Sequence, residues 1–178
     1  MIGRLHEEKG HRYLFEALPA VLEQAGPFQM LIAGDGVERE RLEADVARRG
    51  LSNAVRFLGW RREIPELISL SSLVVLPSLA ESFGFAILEA MSLDRPVVAA
   101  ATGGLTEIIE HEKSGLLVPQ RDSSALASAM ARVLGSDDLA RGLAAGGLAR
   151  SATFSFARMM SGYEEVYESL LDESPGAD

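Results

Sequence analysis

The sequence contains no cysteine, so disulfide bonds and thiolate ligands for a metal are both excluded. The lack of cysteine is typical of a reducing compartment and predicts a cytoplasmic location. Three histidines are present, His6, His11 and His111, and their spacing matches no metal site. We interpret all three as ordinary surface residues. The sequence therefore predicts no bound metal and no disulfide framework.

The chain also lacks long apolar runs and basic patches. No run approaches the ~20 apolar residues of a membrane-spanning helix, and Met1 leads into a motif rather than into a signal peptide. The formal net charge is −9, so nucleic acid is repelled on average. No basic cluster interleaved with aromatic residues offsets that repulsion. We expect no membrane span and no nucleic-acid partner.

Short apolar runs of strand length alternate with helical patterns along the chain. Such alternation predicts an α/β fold with a doubly wound parallel sheet. The length of 178 residues and the hydrophobic content of 47% suit one domain, which we place at 1–171, followed by a disordered tail at 172–178. The expected strands are 1–2, 28–33, 55–59, 73–76, 97–101 and 115–119. The first is truncated, because a buried strand usually has about five residues, and another copy of the chain could complete it.

The stretch 77–101 is predicted to form a loop, a helix, a tight turn and a strand. Helix formers begin at Phe85, and Ser82 is a candidate N-cap. Two carboxylates lie in this stretch, on Glu81 and Glu89. On one ideal helix they would be about 80° apart. They can therefore meet one ligand only if Glu81 lies in the loop, before the helix begins.

Two cations, Arg4 and Lys9, flank the short loop after the first strand. Arginine offers a planar fork of donors and lysine a mobile point charge, a pair that suits a diphosphate. The N-terminus of the following helix adds free N–H groups. The alternative interpretation is a pair of surface cations neutralised by Glu7 and Glu8.

Polar residues or glycine follow the carboxyl ends of five predicted strands, positions that we call the strand exits. This pattern is the main argument for one shared pocket. In doubly wound sheets, ligands bind at the carboxyl ends of the strands. A dinucleotide fingerprint at the second exit is excluded, because Arg39 stands where its third glycine would be. The exits carry Arg4 and Lys9, Gly34, Gly59, Glu81, and Gly103, in strand order.

The string P-S-x-x-E-S-F-G-x-x-x-x-E-A-M at 77–91, followed by R-P-V-V-A, resembles the donor-binding signature of retaining glycosyltransferases of family 4. The string G-R-L-x-x-x-K-G at 3–10 is similar to the diphosphate motif of that family. Its members have the GT-B fold, with two Rossmann-like domains and the active site between them. The resemblance covers nearly the whole chain but only the second, C-terminal domain. It implies a six-stranded Rossmann-like sheet, with the N-terminal acceptor domain absent from this chain.

The resemblance implies transfer of a sugar from a nucleotide diphosphate sugar to an acceptor, with retention at the anomeric carbon and without a metal or other cofactor. The expected partners are the nucleotide sugar donor and the acceptor domain. The resemblance leaves open a peripheral membrane contact through that acceptor domain. Where the family usually has proline, this chain has Thr106, which weakens the expected sugar contact at Gly104 or Leu105. The implied roles are catalytic for Glu81, diphosphate binding for Arg4, Lys9, Phe83 and Gly84, ribose binding for Glu89, and base binding for Leu58, Gly59 and Arg61.

Other functions remain open at this point. A glycosidase using Glu81 and Glu89 would need the carboxylates roughly 5–9 Å apart and leaves the cations unexplained. A non-catalytic nucleotide-sugar-binding or interaction module fits the same residues, and an epimerase would need an acid and a base that we cannot identify.

Trp60 either stacks on a base or covers the core edge. The apolar stripe of the helix at 156–171 indicates packing, and in the family this helix crosses towards the other domain.

Overall fold

The structure is a computed structural model and describes residues 1–172. Strands and helices alternate in this range, which confirms the predicted α/β class. The tail predicted to be disordered lies, beyond Asp172, outside the described residues. The elements are a 3₁₀ turn at Glu7–Lys9, α1 His11–Ala25, β1 Met30–Ala33, α2 Arg39–Arg48, β2 Val55–Gly59, α3 Ile64–Ser69, β3 Val74–Leu76, α4 Phe85–Ser92, β4 Val97–Ala100, α5 Leu105–Ile108, β5 Leu116–Val118, α6 Ser123–Leu134, α7 Asp137–Ser151 and α8 Phe156–Asp172.

All strand pairs are parallel, but they form two separate sheets. β1 pairs with β2, and β3, β4 and β5 pair in that order. In place of the first strand, Ile2 makes a single parallel bridge to Ala33. The described residues therefore contain five strands rather than the six expected, because two residues before Gly3 are too few for a ladder.

Helices cover both faces of the β3–β4–β5 sheet, as in a doubly wound fold. Successive strand side chains point to opposite faces, so Val75 and Val98 join one core cluster and Val74 and Val97 join the other. The first cluster includes the apolar faces of α1 and α6, and the second those of α4 and α5. This packing holds the strand ends, and the loops that follow them, at one edge of the sheet.

The last helix, α8, does not share this packing. Its apolar stripe lies outside both core clusters, and Phe156 and Tyr167 are 74% and 66% exposed. The stripe was interpreted as packing, with the helix crossing towards the other domain in the family. Residues 1–172 do not show what covers it, because helical periodicity shows only that a face is apolar. No helix within residues 1–172 combines the length and apolar character needed to cross a bilayer.

Candidate functional site

The loops after the first three strand positions are joined by backbone hydrogen bonds. Gly3 N–H donates to Ala33 O at 3.0 Å, and Leu5 N–H donates to Asp35 O at 2.9 Å. Gly34 N–H in turn donates to Gly59 O at 2.8 Å. These bonds place the exits of the first, second and third predicted strands next to one another.

The fourth and fifth exits continue the same edge. Leu79 N–H donates to Glu8 O at 2.7 Å, and Gly104 N–H donates to Glu81 O at 3.2 Å. The loops touch closely enough to require glycine at Gly103, where φ is +47° and a Cβ would lie 1.9 Å from Glu81 O. We call the loops at 3–10, 34–38, 59–63, 77–84 and 101–104 the exit edge.

An ion pair between Lys9 and Glu81 lies within the exit edge. Lys9 Nζ and Glu81 Oε2 are 2.8 Å apart, and their side chains are 14% and 13% exposed. The pair joins residues from two different loops, as expected if the strand exits form one shared pocket. Lysine has three N–H donors, so a ligand anion can still bind Lys9 while Glu81 accepts one hydrogen bond.

Arg4 is not part of this pair. Its side chain is 75% exposed, and its Nη2 lies 2.7 Å from Glu8 Oε1. Arg4 therefore forms the surface ion pair of the alternative interpretation. Lys9 does not, because it pairs with Glu81 rather than with Glu7 or Glu8. An exposed pair contributes only about 0.2–1 kcal/mol, so a diphosphate could recruit Arg4 at little cost.

The N-terminus of α4 adds neutral anion-binding groups. The helix begins at Phe85, which leaves Glu81 in the loop, as the spacing of the two glutamates demanded. The N-cap is Gly84, at φ 104° and without a side-chain cap bond, so the expected Ser82 cap is not formed. Within residues 1–172, no acceptor binds the N–H groups of Phe85 and Ala86. These groups and the positive end of the helix dipole can bind an anion.

Phe83 and Glu89 flank this helix start. The Phe83 ring packs 4.9 Å from the Phe85 ring and 6.2 Å from the Phe154 ring, between centroids. Its backbone lies against Gly104, where a Cβ would come within 2.7 Å of Phe83 Cα and O. Glu89 lies on α4, half-buried. In the part of the chain described, no hydrogen bond or ion pair engages its carboxylate. The Glu89 oxygens are therefore available as acceptors.

The predicted base-binding residues lie at the end of β2. Gly59 belongs to the exit edge, whereas the Leu58 side chain lines a cavity within the sheet, so only its backbone could meet a base. Arg61 is exposed. Trp60 is 67% exposed and does not cover the core edge, and the Arg62 guanidinium lies 5.4 Å from its ring centroid.

His11 is a buried residue that sequence reasoning placed on the surface. It is 2% exposed, and its Nε2 has no hydrogen-bond partner within residues 1–172. Burial, followed by the positive charge of the Met1 amino group, lowers the pKa of His11 to about 4. The sequence contained a signal, because His11 shares the helical spacing of Leu14 and Leu18, which are both buried.

Ser78 is a second buried polar residue, at the start of the loop after β3, and its Oγ also has no partner within the described range. Nothing in the sequence marked it beyond its place in the P-S string. Among residues 1–172, no group of three or more His, Asp or Glu side chains is arranged to hold a metal ion.

Comparisons with known proteins identify the family. The family model described as Glycosyl transferases group 1 matches residues 1–136. Alpha-D-kanosaminyltransferase of Streptomyces kanamyceticus is 39% identical over 140 residues, which are 78% of this chain and 36% of that protein. The crystal structure of HepE (Alr3699) from Anabaena in complex with UDP has a TM-score of 0.83 at 30% identity, covering 94% of this chain and 47% of that one.

A third relative is a single domain. The crystal structure of the C-terminal domain of the group 1 glycosyl transferase LpcC from Francisella tularensis has a TM-score of 0.77 at 27% identity, covering 85% of this chain and 83% of that one. This chain thus spans less than half the length of the kanosaminyltransferase and of HepE, but matches most of an isolated C-terminal domain. The predicted resemblance is confirmed: the chain belongs to the group 1 glycosyl transferase family.

Proposed function

We propose that residues 1–171 form the donor-binding half of a retaining glycosyltransferase that moves a sugar from a nucleotide diphosphate sugar to an acceptor. The observation that carries the proposal is the Lys9–Glu81 pair, which lies in the exit edge of a group 1 family member together with the free N-terminus of α4. HepE, a structural neighbour, was crystallised with UDP and with UDP-glucose.

In this proposal the donor diphosphate binds Lys9 and the N–H groups at the start of α4, and Arg4 leaves Glu8 to bind the same phosphates. Each charge-assisted hydrogen bond contributes roughly 1.5–3 kcal/mol. Protein cations then stabilise the leaving diphosphate, so the proposal needs no metal ion. EDTA should leave donor binding unchanged, and a requirement for Mg²⁺ would contradict this part.

Glu81 is proposed to act at the sugar. Phosphate binding to Lys9 weakens its hold on Glu81, because the lysine charge is then shared between two anions. The Glu81 carboxylate becomes available to the sugar hydroxyls near the anomeric carbon. Glu89 would bind the ribose, and the backbone at Leu58 and Gly59, with Arg61, would meet the base.

The acceptor site is proposed to lie in a separate N-terminal domain. This chain spans 36% of the kanosaminyltransferase and 47% of HepE, and an opposing domain would be needed to exclude water from the reaction. We therefore expect the chain alone to bind a donor nucleotide weakly and to transfer little or no sugar. Robust transfer by the chain alone would contradict the half-enzyme assignment. The cytoplasmic location stays a prediction.

A screen of UDP, GDP and ADP by thermal shift and calorimetry tests donor binding. We expect one nucleotide to raise the melting temperature. Lys9→Met and Glu89→Ala should each weaken its binding by about 10- to 100-fold, because each removes a hydrogen bond to a charged group.

The chain offers a matched control for Lys9. Its other lysine, Lys113, has a side chain that is 80% exposed and lies away from the exit edge, 3.7 Å from Glu110. Lys113→Met should leave nucleotide binding unchanged. Equal losses in Lys9→Met and Lys113→Met, or no stabilisation by any nucleotide, would overturn the proposal.

A further inference from the structure

The four-residue helix α5 packs against the loop that carries Glu81 and against the start of α4. Its N-cap residue, Gly104, donates its N–H to Glu81 O at 3.2 Å and lies against the Phe83 backbone. Its first residue, Leu105, is fully buried, and the Leu105 side chain lies against Gly84, the N-cap of α4. Any movement of α5 therefore changes the positions of Glu81 and of the N–H groups at the start of α4.

The C-terminal end of α5 is held by Arg150, which lies on α7. A helix of one turn is unstable by itself, and its last carbonyl groups have no partner within the helix. Arg150 Nη2 donates to Glu107 O at 2.6 Å, and Arg150 Nε donates to Ile108 O at 3.2 Å. Arg150 Nη1 also lies 3.6 Å from Glu110 Oε1. Because the guanidinium donors have a fixed planar geometry, these bonds set the orientation of α5 as well as its position.

Arg150 reaches the start of α4 by a second route, through aromatic rings. Its guanidinium carbon lies 5.0 Å from the centroid of the Phe154 ring, which is within the range of a cation–π interaction. The Phe154 ring in turn meets the Phe83 ring edge-on, with 6.2 Å between centroids. Phe83 directly precedes the N-cap of α4. Arg150 thus supports both the Glu81 loop and the start of α4.

We propose that Arg150 is a positioning residue of the donor site, which holds Glu81 and the N-terminus of α4 in the geometry that receives the diphosphate and the sugar. The inference rests on the proposed function, which places the ligand at these groups. Arg150 does not contact the ligand, because its donors are already bonded to the carbonyl groups of α5. Its effect on binding is therefore transmitted through α5 and through the Phe154 ring.

A comparison of a nucleoside diphosphate with its monophosphate tests this role. The probes are UDP and UMP, or the corresponding pair if the nucleotide screen selects GDP or ADP. Base and ribose contacts are common to both ligands, whereas the second phosphate needs Lys9 and the start of α4. Arg150→Met should lower the ratio of diphosphate to monophosphate affinity by about 10-fold, with little change for the monophosphate. A general loss of stability would instead weaken both ligands alike.

Hydrogen exchange tests the same role without any ligand. The Gly104 amide is bonded to Glu81 O, so release of α5 in Arg150→Met should make its exchange about 10-fold faster or more. Arg132→Met is the matched control. Arg132 lies on α6 and donates to Glu112 Oε1 at 2.9 Å, in the loop before β5 and away from the exit edge. This control should leave both the Gly104 exchange rate and the affinity ratio unchanged.

Arg150→Lys is the second variant, and it replaces Arg150→Met if that chain does not fold. Lysine keeps the charge but not the planar fork, so both readouts should fall between the parent chain and Arg150→Met. A parental affinity ratio, a parental Gly104 exchange rate, or equal weakening of both ligands would overturn the inference. If a nucleotide binds the parent chain and the ratio is parental in the variant, only the inference fails. If no nucleotide binds the parent chain, the proposed function fails and the inference fails with it.

Discussion

At the scale of single residues, the sequence singled out Lys9 and Glu81 as site residues but did not predict that they form an ion pair with each other. Lys9 and Glu81 follow from the strings at 3–10 and 77–91, because a cation or carboxylate at a strand exit has a chemical reason to be there. Their mutual ion pair depends on two loops that meet only in the folded chain. Arg4, with the same charge and a similar position, pairs with Glu8 on the surface instead.

His11 gives a prediction at this scale, because its pKa is far from the ordinary value. The pKa is lowered from 6.5 to about 4 by burial. Between these two values the unfolded chain binds a proton at His11 that the folded chain does not, so stability is lost as pH falls through this window. Below about pH 4 the loss attributable to His11 is complete, on the order of 3 kcal/mol.

Replacing His11 tests this contribution. In urea denaturation at pH 7 and at pH 4.5, His11→Leu should lose less stability between the two pH values than the parent chain. The Met1 amino group also titrates in this range, because burial lowers its pKa to about 5. Because the Met1 charge acts on His11, the difference between the two chains reports on His11 together with its coupling to Met1. The exposed His6, as His6→Gln, is the control and should keep the parental slope; a parental slope in His11→Leu would contradict the burial argument.

At the scale of elements, helix and strand order followed from the sequence because the periods of apolar residues are a local property. The start of α4 at Phe85 decided which glutamate lies in a loop, and it was predicted correctly. The first strand was recognised as too short, but the cavity that results was not predicted, because its walls come from β1, β3, α3 and α6. Packing between distant elements leaves no local pattern.

Gly84 gives the prediction at the element scale. Its φ is 104°, and a Cβ there would lie 2.5 Å from Leu105 Cδ2. Gly84→Ala should therefore destabilise the chain by about 1–3 kcal/mol and tilt the N–H groups at the start of α4. Nucleotide binding should weaken as well, in calorimetry, since these groups are the proposed phosphate site.

Gly142 in α7 is the matched control for this substitution. It lies in a helix, with no positive φ and with open space around its Cβ position. Gly142→Ala should stabilise the chain by roughly 0.5–1 kcal/mol, because alanine has the higher helix propensity. If both substitutions stabilise, the backbone at Gly84 is not held as described.

At the scale of the whole molecule, the domain divides into a packed body and one exposed helix. The body contains both core clusters and the exit edge, and α8 extends from it with an apolar stripe exposed. A contiguous exposed apolar surface usually marks an interaction site. The sequence showed the stripe, but a single chain cannot show the surface that would cover it.

The division predicts that α8 is dispensable for the stability of the body. A chain that ends at Ser155 loses little buried apolar area, since Phe156 is 74% exposed and Tyr167 is 66% exposed. Its melting temperature should stay within about 3 °C of the full chain, which corresponds to roughly 1 kcal/mol or less at this size. Donor nucleotide binding should be unchanged, because Lys9, Glu81 and Glu89 all lie in the body.

As the control, Tyr163→Ser with Tyr167→Ser keeps the helix but removes two stripe side chains, and it should behave like the truncated chain. A large fall in melting temperature in both would mean that the stripe packs against the body in solution.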